Sequence, residues 1–278
     1  MTDTVLITGT SSGIGLTTAI AAAKAGWRVV ATMRDTGKAT ALREAAATAG
    51  VTDLIDVRAL DVTDAEGAAA CVDGVVQDYG RLDAVINNAG AGHLGTLEQG
   101  SIDDVRNVFE VNFFGVLNVT KPALPHLRAS AGRLLAITSV GGVIGQPFNE
   151  SYCAAKFAVE GFYESLAPLA AAHGVRVTVV EPGAVASEFI SNVGYDPAQE
   201  EAFGPYAPQL RSYLARTAGA FANAQTSEQA ADAIVAALTD DKPPFRVQTS
   251  DVARGFNGLK LADLDGSAVQ NLTETWIS

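Results

Sequence analysis

The sequence has only two cysteines, Cys71 and Cys153, far apart and outside any CxxC or Cys/His spacing. That leaves neither a disulfide framework nor a metal site to expect, and both thiols read as small buried apolar side chains. Lys/Arg-rich runs are absent too. With a formal net charge of −12, the surface repels polyanions, so nucleic acid is not an expected partner. No stretch approaches the roughly 18 continuous apolar residues of a membrane span, and MTDTVLITGT places no basic segment before a signal-like apolar run. The expectation is a soluble, cytoplasmic chain without integral membrane association.

What the 278 residues do have is apolar content, 48% by residue, enough for a large core. Short β-branched runs alternate with Ala-rich stretches of helical period: VLIT, TTAIAAAKAG, RVVATM, then a helical stretch around 38–49. The rhythm continues through LIDVRAL, AEGAAACVDGVVQDYG, LDAVINNAG, a helical stretch near 104–128, RLLAITS, another near 152–173, and VRVTVVEPG. These are βαβ units, and the near-continuous apolar strands are those of a parallel sheet covered on both faces. The predicted fold is α/β, a single-domain doubly wound parallel sheet of Rossmann type over 1–278, with about seven strands and helices on both faces.

After Pro182 the pattern loosens, and residues 184–225 read as a substrate loop and lid within that domain. A helical segment near 206–222 follows the irregular part. The next helix is predicted to be capped by Thr226 or Ser227, and PFRVQT to form a last strand before a weakly patterned tail.

The first strand runs into Thr8-Gly9-Thr10-Ser11-Ser12-Gly13-Ile14-Gly15 and then directly into a helix. At such a turn, residues without Cβ let the backbone approach a pyrophosphate, whose charge meets amide N–H groups and the helix N-terminus. Gly9, Ser11, Ser12, Gly13, Ile14 and Gly15 are therefore candidate cofactor contacts. The GxxxGxG spacing differs from both GxGxxG and the P-loop, so its position at the first βα turn carries the inference. At the close of the second strand no acid stands where a ribose-binding carboxylate is common. Arg34 stands there instead and can pair with a 2′-phosphate, which favours NADP(H), with NAD(H) the alternative should Asp35 turn towards the ribose.

RLLAITS ends at Ser139, and a helix opening at Tyr152 carries Lys156 four residues on, on the same face. A tyrosine hydroxyl titrates near pH ~10, and a neighbouring ammonium is expected to lower it. Ser139 can polarise a substrate oxygen while Tyr152 transfers a proton. On spacing alone, YxxxK is also what a chance surface pair looks like.

TGTSSGIG, Asn87-Asn88-Ala89-Gly90, Asn112, Ser139, Tyr152-Cys153-Ala154-Ala155-Lys156 and Pro182-Gly183 together resemble, in order and spacing, the short-chain dehydrogenase/reductase family over residues 3–190. The resemblance implies a nicotinamide-dependent interconversion of secondary alcohol and ketone. It places Asp61 and Val62 at the adenine, Asn87 to Gly90 against the cofactor, and Pro182, Gly183 and Val185 beside the nicotinamide. It makes Asn112, Ser139, Tyr152 and Lys156 the catalytic set, with Asn112 supporting the lysine through a water. It further implies pro-S hydride transfer and a homodimer or homotetramer built on the two long helices. Taken singly, the asparagines could merely cap turns or bond their own helix, and Pro182-Gly183 could merely end a strand.

The segment SVGGVIGQPFNESYCAAKFAVEGFYESLA, with ATMRD earlier, is similar to the 17β-hydroxysteroid dehydrogenase type 1-like enzymes and their retinol dehydrogenase relatives. That likeness implies a hydrophobic substrate, a steroid first, in a pocket from Ser139, Val140, Gln146, Tyr152, Phe189, Tyr195, Arg216 and Phe221. Gln146 replaces a leucine, and Arg216 a histidine that contacts the far hydroxyl, so the distal contacts depart from that pattern. Glu274 is a further position at the far end. The alternatives are retinol or another hydrophobic alcohol, or an NADP-binding regulatory protein without turnover.

Overall fold

A computed structural model describes residues 2–186, 197–222 and 224–278. The Val- and Ile-rich runs form strands β1 (Thr4–Thr8), β2 (Arg28–Met33), β3 (Ile55–Ala59), β4 (Ala84–Asn87), β5 (Arg133–Ile137) and β6 (Arg176–Glu181). With β9 (Arg246–Gln248) they build a seven-stranded parallel sheet in the order β3-β2-β1-β4-β5-β6-β9. A separate two-residue ladder joins β7 (Val185–Ala186) to β8 (Gln225–Thr226).

Helices cover both faces, as continuously apolar strands require. On one side α1 (Gly13–Lys24), α2 (Thr40–Ala49) and α8 (Ser227–Thr239) bury Ala19, Ala22, Leu42, Ile234 and Leu238 against Val5, Ile7 and Val29. On the other, α3 (Ala65–Tyr79), α5 (Gly115–Ser130) and α6 (Glu150–Ala171) bury Val72, Val75, Val119, Leu127, Val159 and Tyr163 against Leu6, Val85 and Leu134. Thr226 caps α8 by accepting from the Gln229 amide while the Gln229 side chain accepts from the Thr226 amide, an arrangement that contributes about 1 kcal/mol.

Two elements differ from the sequence expectation. The predicted helix over 104–128 is α4 (Ile102–Phe109) and α5, separated by a π-helical turn at Glu110–Phe114 that contains Asn112. The tail beyond residue 250 is not loosely structured: it forms α9 (Asp251–Ala262) and α10 (Ser267–Glu274). Ser250 caps α9 by accepting from the Ala253 amide, and the Asp263 carboxylate accepts from the Ala268 and Val269 amides at the start of α10. With α7 (Ala207–Ala222), this tail encloses a third cluster of Phe148, Leu210, Tyr213 and Trp276. Among the described residues, no helix is long and apolar enough to cross a membrane, and no group of three or more His, Cys, Asp or Glu side chains is arranged to hold a metal.

Candidate active site

The strand order reverses between β1 and β4, and in doubly wound sheets ligands bind in the crevice at that reversal, beyond the carboxyl ends of the strands. The glycine turn follows β1 at this place. Gly9 has φ +71°, and a Cβ there would fall 2.8 Å from Ala89 Cα; one on Gly15 would overlap the Gly9 carbonyl oxygen. The turn is braced from β4. Asn88 Nδ2 donates to the Thr8 and Gly9 carbonyls, and the Asn88 and Ala89 amides donate to Thr8 Oγ1.

Residues Ser11 to Ile14 stay partly accessible. Ser12 makes no side-chain cap, and the first turn of α1 holds no acid. The N-terminal amides of this 12-residue helix, with roughly half a positive charge from the macrodipole, thus face outward without an internal anion. These features fit a dinucleotide pyrophosphate.

Arg34 and Asp61, the residues expected at the adenine end, are exposed. Asp35 is exposed as well, with its Oδ1 accepting from the Gly37 amide at 2.9 Å. Asp61 accepts from the Thr63 amide and hydroxyl, and those bonds, desolvation notwithstanding, hold its carboxyl below the usual range with help from the Arg34 charge. Val62 is buried against Gly115 and accepts from Asn118 Nδ2 through its carbonyl. Asn87 differs from Asn88. Its side chain points into the core, donating to Thr120 Oγ1 and the Tyr163 hydroxyl, which leaves its backbone alone for the place the family likeness implies.

The catalytic candidates meet where β5 ends beside α6. Ser139 begins a single 3₁₀ turn, Val140–Gly142, and its Oγ accepts from the Gly141 amide at 2.9 Å. The Val140 amide donates to the Pro182 carbonyl at 2.9 Å, drawing the ends of β5 and β6 together. Tyr152 and Lys156 project from one face of α6. The Tyr152 hydroxyl is hydrogen-bonded to the Ser139 side chain, which lowers its pKa, but burial is the larger effect and drives it well above the ordinary phenol range. The expected lowering by Lys156 is not the ruling influence in this protein environment: the ammonium lies 5.9 Å from the Tyr152 ring centroid.

Lys156 is 4% exposed, and its Nζ donates to the Ile137 carbonyl at 3.0 Å. Burial lowers its pKa to about 8, opposed by the charge of Glu160. Asn112, fully buried in the π-helical turn, donates through Nδ2 to the Val108 and Ala91 carbonyls and accepts from the Ala91 amide through Oδ1. A Cβ on Gly90 would fall 2.9 Å from Asn112 Oδ1 and 3.4 Å from Lys156 Nζ, so the asparagine and the lysine converge on one glycine. The bond to its own helix and a place beside Lys156 are thus both true of Asn112.

The residues assigned to substrate are less unified. Val140 is buried beside Ser139. Gln146 lines a cavity of about 410 Å³ with Pro147, Cys153, Phe157 and Gln270. A second cavity of about 650 Å³ lies between Phe148, Leu97, Tyr206 and Ile277. Arg216 is exposed, and its guanidinium stacks 4.6 Å from the Trp276 ring centroid. Phe189 and Tyr195 lie outside the described residues, and Phe221 is placed only by its backbone in α7. Glu274 ends α10 and is exposed. Pro182 and Gly183 follow β6 at the sheet edge, and Val185 is buried in β7.

Several residues around the site went unnamed in the sequence. Asn149 Nδ2 donates to the Tyr213 hydroxyl at 2.8 Å, tying the start of α6 to α7. Glu160, Glu181 and Arg246 cluster beneath Lys156. The i+4 spacing of Glu160 from Lys156 is the signal that was available in advance.

A doubly wound sheet with a glycine turn at its switch point and Ser, Tyr and Lys at its carboxyl edge defines a class, the nicotinamide-dependent oxidoreductases that pair hydride with proton transfer. The family model for short-chain dehydrogenases matches residues 3–197, and the chain belongs to that family. Human retinol dehydrogenase 8 is 38% identical over 95% of this chain and 86% of its own length. Human 17-beta-hydroxysteroid dehydrogenase type 1 is 37% identical over 95% of this chain and 82% of its own. Among solved structures, ElxO with NADP bound superposes with a TM-score of 0.76 at 25% identity, covering 92% of this chain and all (100%) of that one.

Proposed function

We propose that the protein interconverts a secondary alcohol and its ketone on a steroid-sized hydrophobic molecule, 17-position hydroxysteroid chemistry first and retinol second, with NADP(H) preferred. A bound nicotinamide supplies the hydride donor or acceptor. Tyr152 exchanges the proton with the substrate oxygen. Ser139, whose Oγ accepts from the Gly141 amide, turns its one hydrogen from Tyr152 to that oxygen when substrate enters and fixes its position. Lys156 keeps a cation beneath the pair, and Asn112 shapes the backbone around it. The single observation that carries the proposal is the meeting of Ser139, Tyr152 and Lys156 at the edge of β5.

The substrate class is supported by the two human relatives, whose names print both chemistries, and by the aromatic cluster around Phe148, Tyr213 and Trp276 next to the site. The cofactor preference is supported by Arg34, exposed just beyond β2 where it can pair with a 2′-phosphate. An assembly through α4, α5 and α6 belongs to the same proposal. Those helices, with the π-helical turn between α4 and α5, expose Phe114, Phe157, Phe162 and Leu169, an apolar surface that a second copy would cover. A cytoplasmic location completes it.

Turnover is to be measured with NADP+ and NAD+ against estradiol, testosterone, retinol and simple secondary alcohols. The expected result is the highest kcat/KM on a steroid with NADP+. No turnover on any steroid would overturn the substrate assignment, and a clear preference for NAD+ would overturn the cofactor assignment.

A further inference from the structure

Three consecutive residues at the end of β5 are matched to three residues on one face of α6. The Ser139 hydroxyl meets Tyr152, the Ile137 carbonyl meets Lys156 Nζ at 3.0 Å, and the Thr138 hydroxyl meets Glu160 Oε1 at 2.6 Å. Tyr152, Lys156 and Glu160 follow at i, i+4 and i+8, the spacing that stacks side chains along a helix. The first two rungs carry the chemistry. The third is a carboxyl 4% exposed, which is costly to bury without a reason.

Beyond Glu160 lies an imbalance of charge. Arg246 Nε is 3.3 Å from Glu160 Oε2 and 3.3 Å from Glu181 Oε1, and its Nη2 is 2.7 Å from the exposed Glu164. One guanidinium therefore serves two buried carboxyls. Glu181, with no exposed surface, also accepts from Gln248 and Asn257 and directly precedes Pro182. The charged groups around Glu160 are thus Lys156 and Glu164 from its own helix, Glu181 from β6 and Arg246 from β9. The Thr138 hydroxyl has a single hydrogen but two oxygens in reach, Glu160 Oε1 and the Val180 carbonyl at 3.0 Å. If it donates to Val180, only a protonated Glu160 satisfies the shorter contact.

We infer that Glu160 is a positioning residue for the transfer: clamped between Thr138 and Arg246, its carboxylate maintains the charge of Lys156 and keeps the end of β5 in register with Tyr152. It touches no reacting atom and acts through Lys156. Burial raises the Glu160 pKa to about 7, and its charge raises that of Lys156 against the lowering by burial. Above neutrality Glu160 is ionised, and there it sustains the Lys156 ammonium.

The inference rests on the hydride-transfer proposal above, and the test separates the two. Ketone reduction is to be followed as kcat/KM against pH for wild type, Glu160→Gln, Glu160→Asp and Arg246→Gln, with Tyr152→Phe alongside. Turnover by wild type and its loss in Tyr152→Phe decide the chemistry, whatever the Glu160 variants do. Removing the negative charge in Glu160→Gln lowers the pKa of Lys156 and Tyr152 alike. The alkaline limb then moves down by about half a pH unit or more, and Glu160→Asp restores part of the shift. Arg246→Gln removes an influence that lowers the Glu160 pKa, so Glu160 holds its proton to higher pH and the limb moves down as in Glu160→Gln, which keeps the test decisive if Glu160→Gln does not fold. Limbs that superpose on wild type in the folded variants, or an upward shift in Glu160→Gln, would overturn the inference.

Discussion

Tyr152 is held by opposing influences, and their order fixes how the reaction should respond to pH. Burial raises its hydroxyl pKa further than the Ser139 bond lowers it, so the protonated form persists through neutrality. As the acid in ketone reduction Tyr152 works in that form, and the rate should fall with a midpoint near pH 8, where Lys156 has lost half its charge. As the base in alcohol oxidation it must be deprotonated, so oxidation should climb with pH through neutrality. Profiles of kcat/KM in both directions check this, and an oxidation rate already level below pH 7 would contradict it. Ser139, Tyr152 and Lys156 were legible in the sequence because a strand end and a helical i+4 spacing place them together. The inward turn of Asn87 towards Thr120 and Tyr163 was not, since Asn87 and Asn88 are adjacent at a strand end and only the partner across the core separates their roles.

The βαβ elements were readable because strands buried on both faces must be apolar throughout. The π-helical turn at Glu110–Phe114 left no periodic mark, being a one-residue change in hydrogen-bond spacing within a helix. The C-terminal helices escaped for a different reason. Their apolar side chains pack into the small cluster with Phe148 and Tyr213 instead of onto the sheet, and their ends are fixed by local caps at Ser250 and Asp263. Trp276 joins this tail to α7, where Arg216 stacks on its ring. Trp276→Ala should loosen that cluster and raise KM for a steroid-sized alcohol about tenfold, the scale of one lost apolar contact. For a small secondary alcohol the rise should be less. Michaelis constants on both substrates check the prediction, and an equal rise on both would show that the tail props the catalytic residues instead of lining the substrate end.

Across the whole molecule, the functional residues lie at one edge because the sheet puts them there. β1 delivers the glycine turn, β4 delivers Asn88 to brace it, β5 delivers Ser139, and β6 delivers Pro182 at adjoining strand ends. Two layers of helices hold this edge, and two of them contribute to it: α1 through its N-terminus and α6 through Tyr152, Lys156 and Glu160. The chain as a whole is acidic, −12 by formal count, so the anionic cofactor depends on local features: the α1 N-terminus and Arg34. The most direct measurement is nicotinamide absorbance during turnover of the best substrate by wild type and by Tyr152→Phe, with cofactor binding followed by fluorescence. Wild type should turn over, and Tyr152→Phe should lose about 10²–10⁴ in kcat while still binding cofactor. Near-full activity in Tyr152→Phe, or no turnover by wild type on any alcohol or ketone, would contradict the account.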